Sequence, residues 1–481
     1  MFSPTSLANF LACQHLTALD RAEAAGQVKK PFFADPGLDL LVKLGREHEE
    51  KYLRYLSQER NLQVTRITQG TSLEDAAAET AAAIRNGAQV IYQAAFSSQQ
   101  WQGRADFLIR VEKPSKLHDW SYEVFEAKLA RSTKARAIIQ LSFYSDLLSG
   151  IQGVMPDHMY VVLGNGEDPE KFSVHRYLAY FRKIQREFEN SSQVQTETYP
   201  DPVEHCRVCG WFSVCDDRWR ADDHLSLVAG ITRNQRKRLV TCGVKTVHEL
   251  AGLEAGSVEG IGTQTLTSIR EQARLQAQGS DEGRYIYKLF DPPEINRGLC
   301  ALPPPSRGDV FLDFEGDAFA FDEGLEYLFG VLTLGNDNDS SPTYASTWAL
   351  NKASEKVAFE RFITDVCQRR REYPDMHIYH YGAYEETAIK RMTGRHTTCA
   401  DEVDEMLRAE VFVDLYRVIK QSLRASVESY SLKKLEPLYE FNREVPLVDA
   451  NLARNTLQAL LAFGTGERFQ QTRASHRESS T

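Results

Sequence analysis

The firmest constraint on the fold is the run Tyr-Glu-Val-Phe-Glu-Ala-Lys-Leu at residues 122–129. It reads as a β-strand in which alternation puts Tyr122, Val124, Glu126 and Lys128 on one face. A carboxylate and an ammonium then stand side by side at the end of an apolar strand. Asp106 lies upstream in Gly-Arg-Ala-Asp-Phe-Leu-Ile-Arg, another strand-like run, and the short polar segment between the two runs allows them to be neighbours. Two carboxylates and a lysine are the minimum set for metal-assisted phosphodiester hydrolysis. The carboxylates hold a hard divalent cation, Mg2+ or Mn2+, which activates water and shields charge; the lysine orients the water or stabilises the pentavalent charge. For Glu126-Ala-Lys128 taken alone, the alternative is a surface salt bridge at a strand end.

The flanking elements extend the pattern. Residues 38–57 read as a helix with Leu38, Leu41, Val42, Gly45, His48, Tyr52 and Tyr55 on one stripe, so that His48 points inward. A hydrogen-bonded core histidine is the competing explanation. Residues 73–85 are alanine-rich and helical, Val90–Phe96 and Gly103–Val111 read as strands, and 134–150 read as a helix. On that helix Gln140 and Tyr144, four apart, share a face. His158–Leu163 is a further strand and Leu178–Phe188 a further helix.

His48, Asp106, Glu126-Ala-Lys128, and Gln140 with Tyr144, in this order, resemble the RecB-type PD-(D/E)XK nucleases. The resemblance implies a restriction-endonuclease-like α/β core over residues 1–222. It implies Asp106, Glu126, Lys128, Gln140 and Tyr144 as catalytic residues, with His48, Asp106 and Glu126 as metal ligands.

Of the eight cysteines, Cys206, Cys209 and Cys215 are spaced C-x2-C-x5-C. A structural zinc needs four close ligands, and the local fourth is missing unless His205 supplies it. The first residues lack a basic region followed by an apolar stretch, so no signal peptide is expected. A reducing cytoplasm follows, and with it metal binding or isolated thiols rather than disulfides. Iron–sulfur members of the same nuclease group place one cysteine before the nuclease core and three after it. Cys13, in Phe-Leu-Ala-Cys-Gln-His-Leu, matches the lone upstream one. The resemblance therefore implies a 4Fe–4S cluster on Cys13, Cys206, Cys209 and Cys215 that staples the two ends of the domain. Zinc and unligated thiols remain open. Residues 3–23, which contain Cys13, read as one helix with Ser3 or Thr5 as its cap.

Residues 223–280 change character. Two short helical hairpins appear, the second opening with Gly260-Ile261-Gly262. They resemble a helix–hairpin–helix pair, whose glycine turns expose backbone N–H groups to a phosphate. Arg233, Arg236, Lys237, Arg238 and Lys245 fall within residues 231–245 without an acidic neighbour, a basic patch on a chain of formal net charge −10. A solvated face in a small all-α spacer is the alternative. Residues 281–307, with Pro292, Pro293 and Pro303–Pro305, read as a linker.

From residue 308 a third region begins. Asp313 and Glu315 share a face of the strand Asp-Val-Phe-Leu-Asp-Phe-Glu-Gly-Asp. This resembles the opening of DEDD-type exonucleases of the RNase H-like fold. His380-Tyr-Gly-Ala-Tyr384-Glu385 resembles their second motif, with Glu385 in place of the usual Asp. The closing acidic motif, expected on a helix beyond residue 450, is not found, so 308–481 is expected to be an incomplete domain with a disordered polar tail.

A chain of 481 residues predicts about two to four domains. No apolar run approaches membrane-spanning length. No Gly-Lys dipeptide occurs, which excludes a P-loop. The architecture expected is α/β and multidomain. It resembles predicted RecB-family nucleases that often carry a helicase, here absent from the sequence, so a helicase is an expected partner. Two functions follow as expectations. One is a DNA nuclease acting on single strands or ends in repair or processing. The other is a nucleic-acid-binding or scaffolding module that needs a helicase for activity.

Overall fold

The computed structural model describes residues 1–461 apart from 33–35, 99, 131, 165–167, 194–197, 255, 292–293, 318–319, 322, 335–340, 444–449, 451–452 and 459–460. The polar tail expected to be disordered lies outside the described residues, as do Pro292 and Pro293. The chain divides into two compact units, Met1–Asp216 and Asp217–Thr481.

In the first unit, α1 (Pro4–Ala12) and α2 (Gln14–Ala24) replace the single helix expected over 3–23. Cys13 separates them in an extended conformation, and its Sγ accepts the Leu16 N–H at 3.4 Å. The thiol thus caps α2 in place of a serine or aspartate. Ser3 caps α1 through a reciprocal pair with Ser6. Next comes α3 (Pro36–Arg54), closed by a π-turn at Tyr55–Glu59. Val42 is exposed, against the expected stripe, while Tyr52, Leu53 and Leu56 are buried. The side chains of Leu38 and Leu41 lie outside the described residues.

There follow β1 (Val64–Arg66), α4 (Leu73–Arg85), β2 (Val90–Ser97), β3 (Gln102–Val111), β4 (Ser121–Lys128), α5 (Ala135–Gln152), β5 (His158–Leu163), β6 (Glu170–Ser173) and α6 (Val174–Gln193), and α7 (Phe212–Ala221) spans the division at Asp216. The six strands form one sheet in sequential order. β1–β2 and β4–β5 are parallel and the remaining neighbours antiparallel. The period-two pattern of β4 sends Tyr122 and Val124 into a core with Leu7 and Phe10 of α1, Phe143 of α5 and Phe188 of α6. On the other face Phe107 and Phe125 meet Tyr52, Leu53 and Leu56. Each such side chain, fully buried, contributes about 1.5–3 kcal/mol. Two layers of helices therefore clamp the sheet and fix the C-terminal end of β4.

In the second unit, α8 (Arg233–Thr241), α9 (Val247–Gly252) and α10 (Thr263–Asp281) surround Leu239, Val247, Leu250, Ile261, Leu266 and Ile269. Capping boxes Thr232–Gln235 and Thr246–Glu249 start the first two helices. Then come β7 (Tyr287–Leu289), β8 (Val310–Asp317), β9 (Leu325–Thr333), β10 (Thr343–Trp348), α11 (Lys352–Glu372), β11 (Ile378–His380), α12 (Tyr384–His396), α13 (Ala400–Arg408), β12 (Phe412–Asp414), α14 (Leu415–Ser422), β13 (Leu423–Ala425) and α15 (Leu432–Leu435).

The five-stranded sheet has the order β10-β9-β8-β11-β12, with β8 central, antiparallel to β9 and parallel to β11. Val310, Leu312 and Phe314 alternate inward onto α11, α12 and α13, which leaves Asp313 and Glu315 on the opposite face. Residues 281–307 are not a free linker. β7 pairs antiparallel with β13, and the Gly298 N–H donates to Gln421. The prolines do not prevent this ladder, because β7 lies ahead of them in the sequence. The hairpin region is likewise tied to the same unit: Gln272 of α10 donates to the Ala425 carbonyl at 2.8 Å and accepts from the Tyr430 hydroxyl at 2.9 Å. Among the described residues no helix is long and apolar enough to cross a membrane.

Candidate functional site

At the end of β4 the expected group assembles. Asp106 of β3 accepts the Ala127 N–H at 2.9 Å through Oδ2, which draws its carboxylate to β4. Glu126 is 1% exposed. Its Oε1 takes the Lys128 ammonium at 2.8 Å and a short hydrogen bond from the Gln140 amide of α5. Its Oε2 is buried without a hydrogen-bond partner.

Burial, then the Glu126 charge, hold Asp106 well above the usual carboxylate range. Burial raises Glu126 too, with Lys128 pulling the other way. Burial works against the Lys128 charge, but Glu126 and Asp106 outweigh it, and the ammonium is held above its ordinary value. Two carboxyls pushed upward, one with an empty buried oxygen, suit a cation that would relieve them. Among the described residues, however, no three His, Cys, Asp or Glu side chains already stand as a closed metal cage.

Two of the expected residues bond to backbone carbonyls, with Tyr144 still beside Glu126, Asp106 and Gln140. Tyr144 is buried, and its hydroxyl donates to the Arg104 carbonyl at 2.7 Å. It braces β3 two residues before Asp106 and crosses Gly103, where an added Cβ would lie 2.8 Å from the hydroxyl. His48 bonds through Nε2 to the Val162 carbonyl of β5 at 3.0 Å. The adjacent Glu49 is the α3 group that reaches the carboxylates. Gln93 of β2 gives its amide to Glu49 in a short bond and to Asp106 at 3.5 Å. Neither Glu49 nor Gln93 was expected. The signal that could have found Glu49 is helical: it is one position beyond His48 and seven before Leu56, which is buried under β4.

The three cysteines of the C-x2-C-x5-C segment and Cys13 are free thiols in the first unit. Burial, then the neighbouring Cys209, Cys206 and Cys13, push Cys215 up to about 12, so the four sulfurs share one neighbourhood. Asp20 of α2 accepts the Trp211 indole N–H at 2.8 Å, which joins the two ends of the unit beside them. The thiols are gathered but not closed to the spacing of a single ion. A cluster is wider than an ion, and these residues fit one in number and chemistry.

In the hairpin region Arg236 is buried, and Arg238 donates to the Glu259 carbonyl at 2.9 Å across the Gly260 turn. Arg236 is thus part of the fold rather than of a solvent-facing patch, whereas Arg238 stays exposed while it bridges to the second hairpin. Arg233 and Lys237 are exposed. Gly260 has φ +75°, and Gly262 begins α10 without a side-chain cap.

In the C-terminal sheet, Asp313 and Glu315 face Glu385 at the first turn of α12. Burial, then the charges of Glu315 and Glu385, raise Asp313 to about 6. Glu385 is buried, with Oε2 lacking a hydrogen-bond partner and 3.6 Å from His380 Nδ1. Asp414 caps α14 through the Tyr416 N–H. The closing helix is not wholly missing. Residues 453–458 are helical, and Leu457 and Leu461 pack near Tyr327. That helical stretch carries no carboxylate.

None of the curated proteins matches the chain. Residues 310–462 match the model of the RNase_H superfamily, whose nucleases typically use Mg2+ or Mn2+. The central acidic strand, its antiparallel and parallel neighbours and the three converging carboxylates agree with that match, which supports an RNase H-like domain over these residues.

Proposed function

We propose that the first unit is a metal-dependent deoxyribonuclease of the PD-(D/E)XK kind, acting on single-stranded DNA or DNA ends in repair or processing. The observation that carries this reading is Glu126: a fully buried carboxylate, held by Lys128 and Gln140 on one oxygen and empty on the other. Asp106 and Glu126 would hold Mg2+ or Mn2+, which supplies Lewis acidity toward the scissile phosphate. Lys128, partly open to solvent, places its ammonium where charge develops on that phosphate. Gln140 fixes the rotamer of Glu126, and Tyr144 steadies the strand bearing Asp106.

In the same reading Cys13, Cys206, Cys209 and Cys215 hold a 4Fe–4S cluster that ties α1 and α2 to the end of the unit. Arg233, Lys237 and the Gly260–Gly262 turn contact the nucleic-acid backbone.

The test is cleavage of labelled single-stranded DNA, duplex DNA and RNA by the whole chain with Mn2+ or Mg2+. The reading expects cleavage of single-stranded DNA that disappears in Lys128→Ala and survives Asp313→Ala with Glu315→Ala. Cleavage that follows Asp313 and Glu315 instead assigns the activity to the RNase H-like domain. Tight binding without cleavage until a helicase is added supports a binding or scaffolding module.

A further inference from the structure

Gln93 stands inside β2 with a backbone φ of +57°. A left-handed conformation for a non-glycine residue costs about 1–3 kcal/mol and persists only where the surroundings impose it. Tyr92 pairs with Phe107 and Ala94 with Ala105, so Gln93 lies opposite Asp106 at a break in the ladder, with no change of register. The Arg104 guanidinium reaches the displaced Gln93 carbonyl at 3.4 Å. The Gln93 side chain lies between two acids, donating to Glu49 and to Asp106.

A carboxamide N–H2 between two carboxylates takes the electrostatic place of a cation. Glu49 comes from α3, the helix expected to supply His48, but the His48 imidazole is held by the Val162 carbonyl. A hard divalent cation also prefers carboxylate oxygen to imidazole. A second observation points to the same ligand. Glu126 Oε2, in a side chain 1% exposed, has no hydrogen-bond partner.

We propose that Glu49 is the third carboxylate of the cation site formed with Asp106 and Glu126, and that Gln93 is the positioning residue that holds it there. The inference rests on the nuclease reading of this unit. It assigns the helical ligand to Glu49 and leaves His48 as a brace between α3 and β5. It also accounts for the strain, since a relaxed strand would carry the Gln93 amide away from Glu49.

The experiment is Mn2+ binding to the full chain by calorimetry, together with cleavage as a function of Mn2+. An Asp313→Asn, Glu315→Gln background silences the carboxylates of the other unit. Glu49→Gln should weaken Mn2+ binding at least tenfold and shift the Mn2+ dependence of cleavage by a similar factor. His48→Ala should change Mn2+ binding by no more than about twofold. Gln93→Ala should weaken Mn2+ binding several-fold while turnover at saturating Mn2+ stays within about twofold, as a positioning role requires. If Glu49→Gln misfolds by circular dichroism, Glu49→Asp, which keeps the charge on a shorter arm, should give the same weakening. Parental Mn2+ binding in a folded Glu49 variant, with Lys128→Ala inactive, overturns the inference and leaves the nuclease reading intact. Normal cleavage by Lys128→Ala overturns the nuclease reading itself.

Discussion

Gln140 and Lys128 converge on the same oxygen of Glu126, so the second oxygen is left open in the buried interior of the sheet. A carboxylate held in this way cannot rotate to satisfy Oε2 without losing two donors. Glu126→Gln, Asp106→Asn and Lys128→Ala should each lower cleavage about 100- to 1,000-fold. Gln140→Ala should lower it about tenfold, since it orients rather than contacts the phosphate. Circular dichroism should show all four folded. Wild-type turnover in Lys128→Ala would remove the site from this end of β4.

The thiols give a prediction in iron. Protein purified without oxygen should be brown and contain about four iron atoms per chain, as a cubane on four thiolates requires. Cys13→Ala and Cys209→Ala should lose iron equally and lower the melting temperature by similar amounts, because both open the same closure. Colourless protein with one zinc per chain excludes the cluster.

Arg238 and Lys237 are neighbours in sequence with opposite expectations. Arg238→Ala removes a hydrogen bond to the Glu259 carbonyl across the Gly260 turn and should destabilise the second unit by about 1 kcal/mol. Lys237→Ala should leave stability unchanged, weaken DNA binding evenly across sequences and reduce the salt slope by about 1. If Lys237→Ala leaves the slope alone, the hairpins are a spacer.

His248 donates a pH dependence. It bonds Asp223 at 2.6 Å and Asp281 at 3.3 Å. The Asp223 hydrogen bond, against a small burial penalty, raises it above 6.5. A histidine raised in the folded state contributes fully below pH 6.5 and loses that contribution as pH rises through its folded value. The side chain is 48% exposed, so solvent screening limits the effect to about 0.5 kcal/mol. His248→Gln should lower the melting temperature by about 1–2 °C at pH 6 and by less at pH 9. An equal loss at both values would assign His248 a packing role alone.

The strand alternation at 122–128 was legible because it is local: period two fixes which side chains share a face before any tertiary contact forms. The RNase H-like strand at 310–317 was legible for the same reason. What escaped the sequence depends on geometry that alternation does not encode. Gln93 enters the site only through a left-handed φ inside a strand, which no residue pattern announces for glutamine. Cys13 looked like one more helical position, and its extended backbone follows from a thiol acting as a cap. The prolines of 292–305 suggested a linker, and the β7–β13 ladder that precedes them joins residues more than a hundred positions apart. Arg238 looked basic and free because its partner is a backbone carbonyl on the next hairpin.

The pairing of Asp20 with Trp211, and of His15 with Thr198 at 2.8 Å, has a consequence for the order of events on the ribosome. Synthesis at about 5–20 residues per second leaves α1 and α2 outside the exit tunnel for roughly 10–40 s before their distant partners exist. The sheet of β1–β6 can close in that interval from contacts between sequence neighbours, while Leu7 and Phe10 still lack Phe188. The earliest helices are therefore among the last to be covered. During that wait Cys13 is a lone thiol on a growing chain, and its three companions arrive only when translation of the unit is nearly finished.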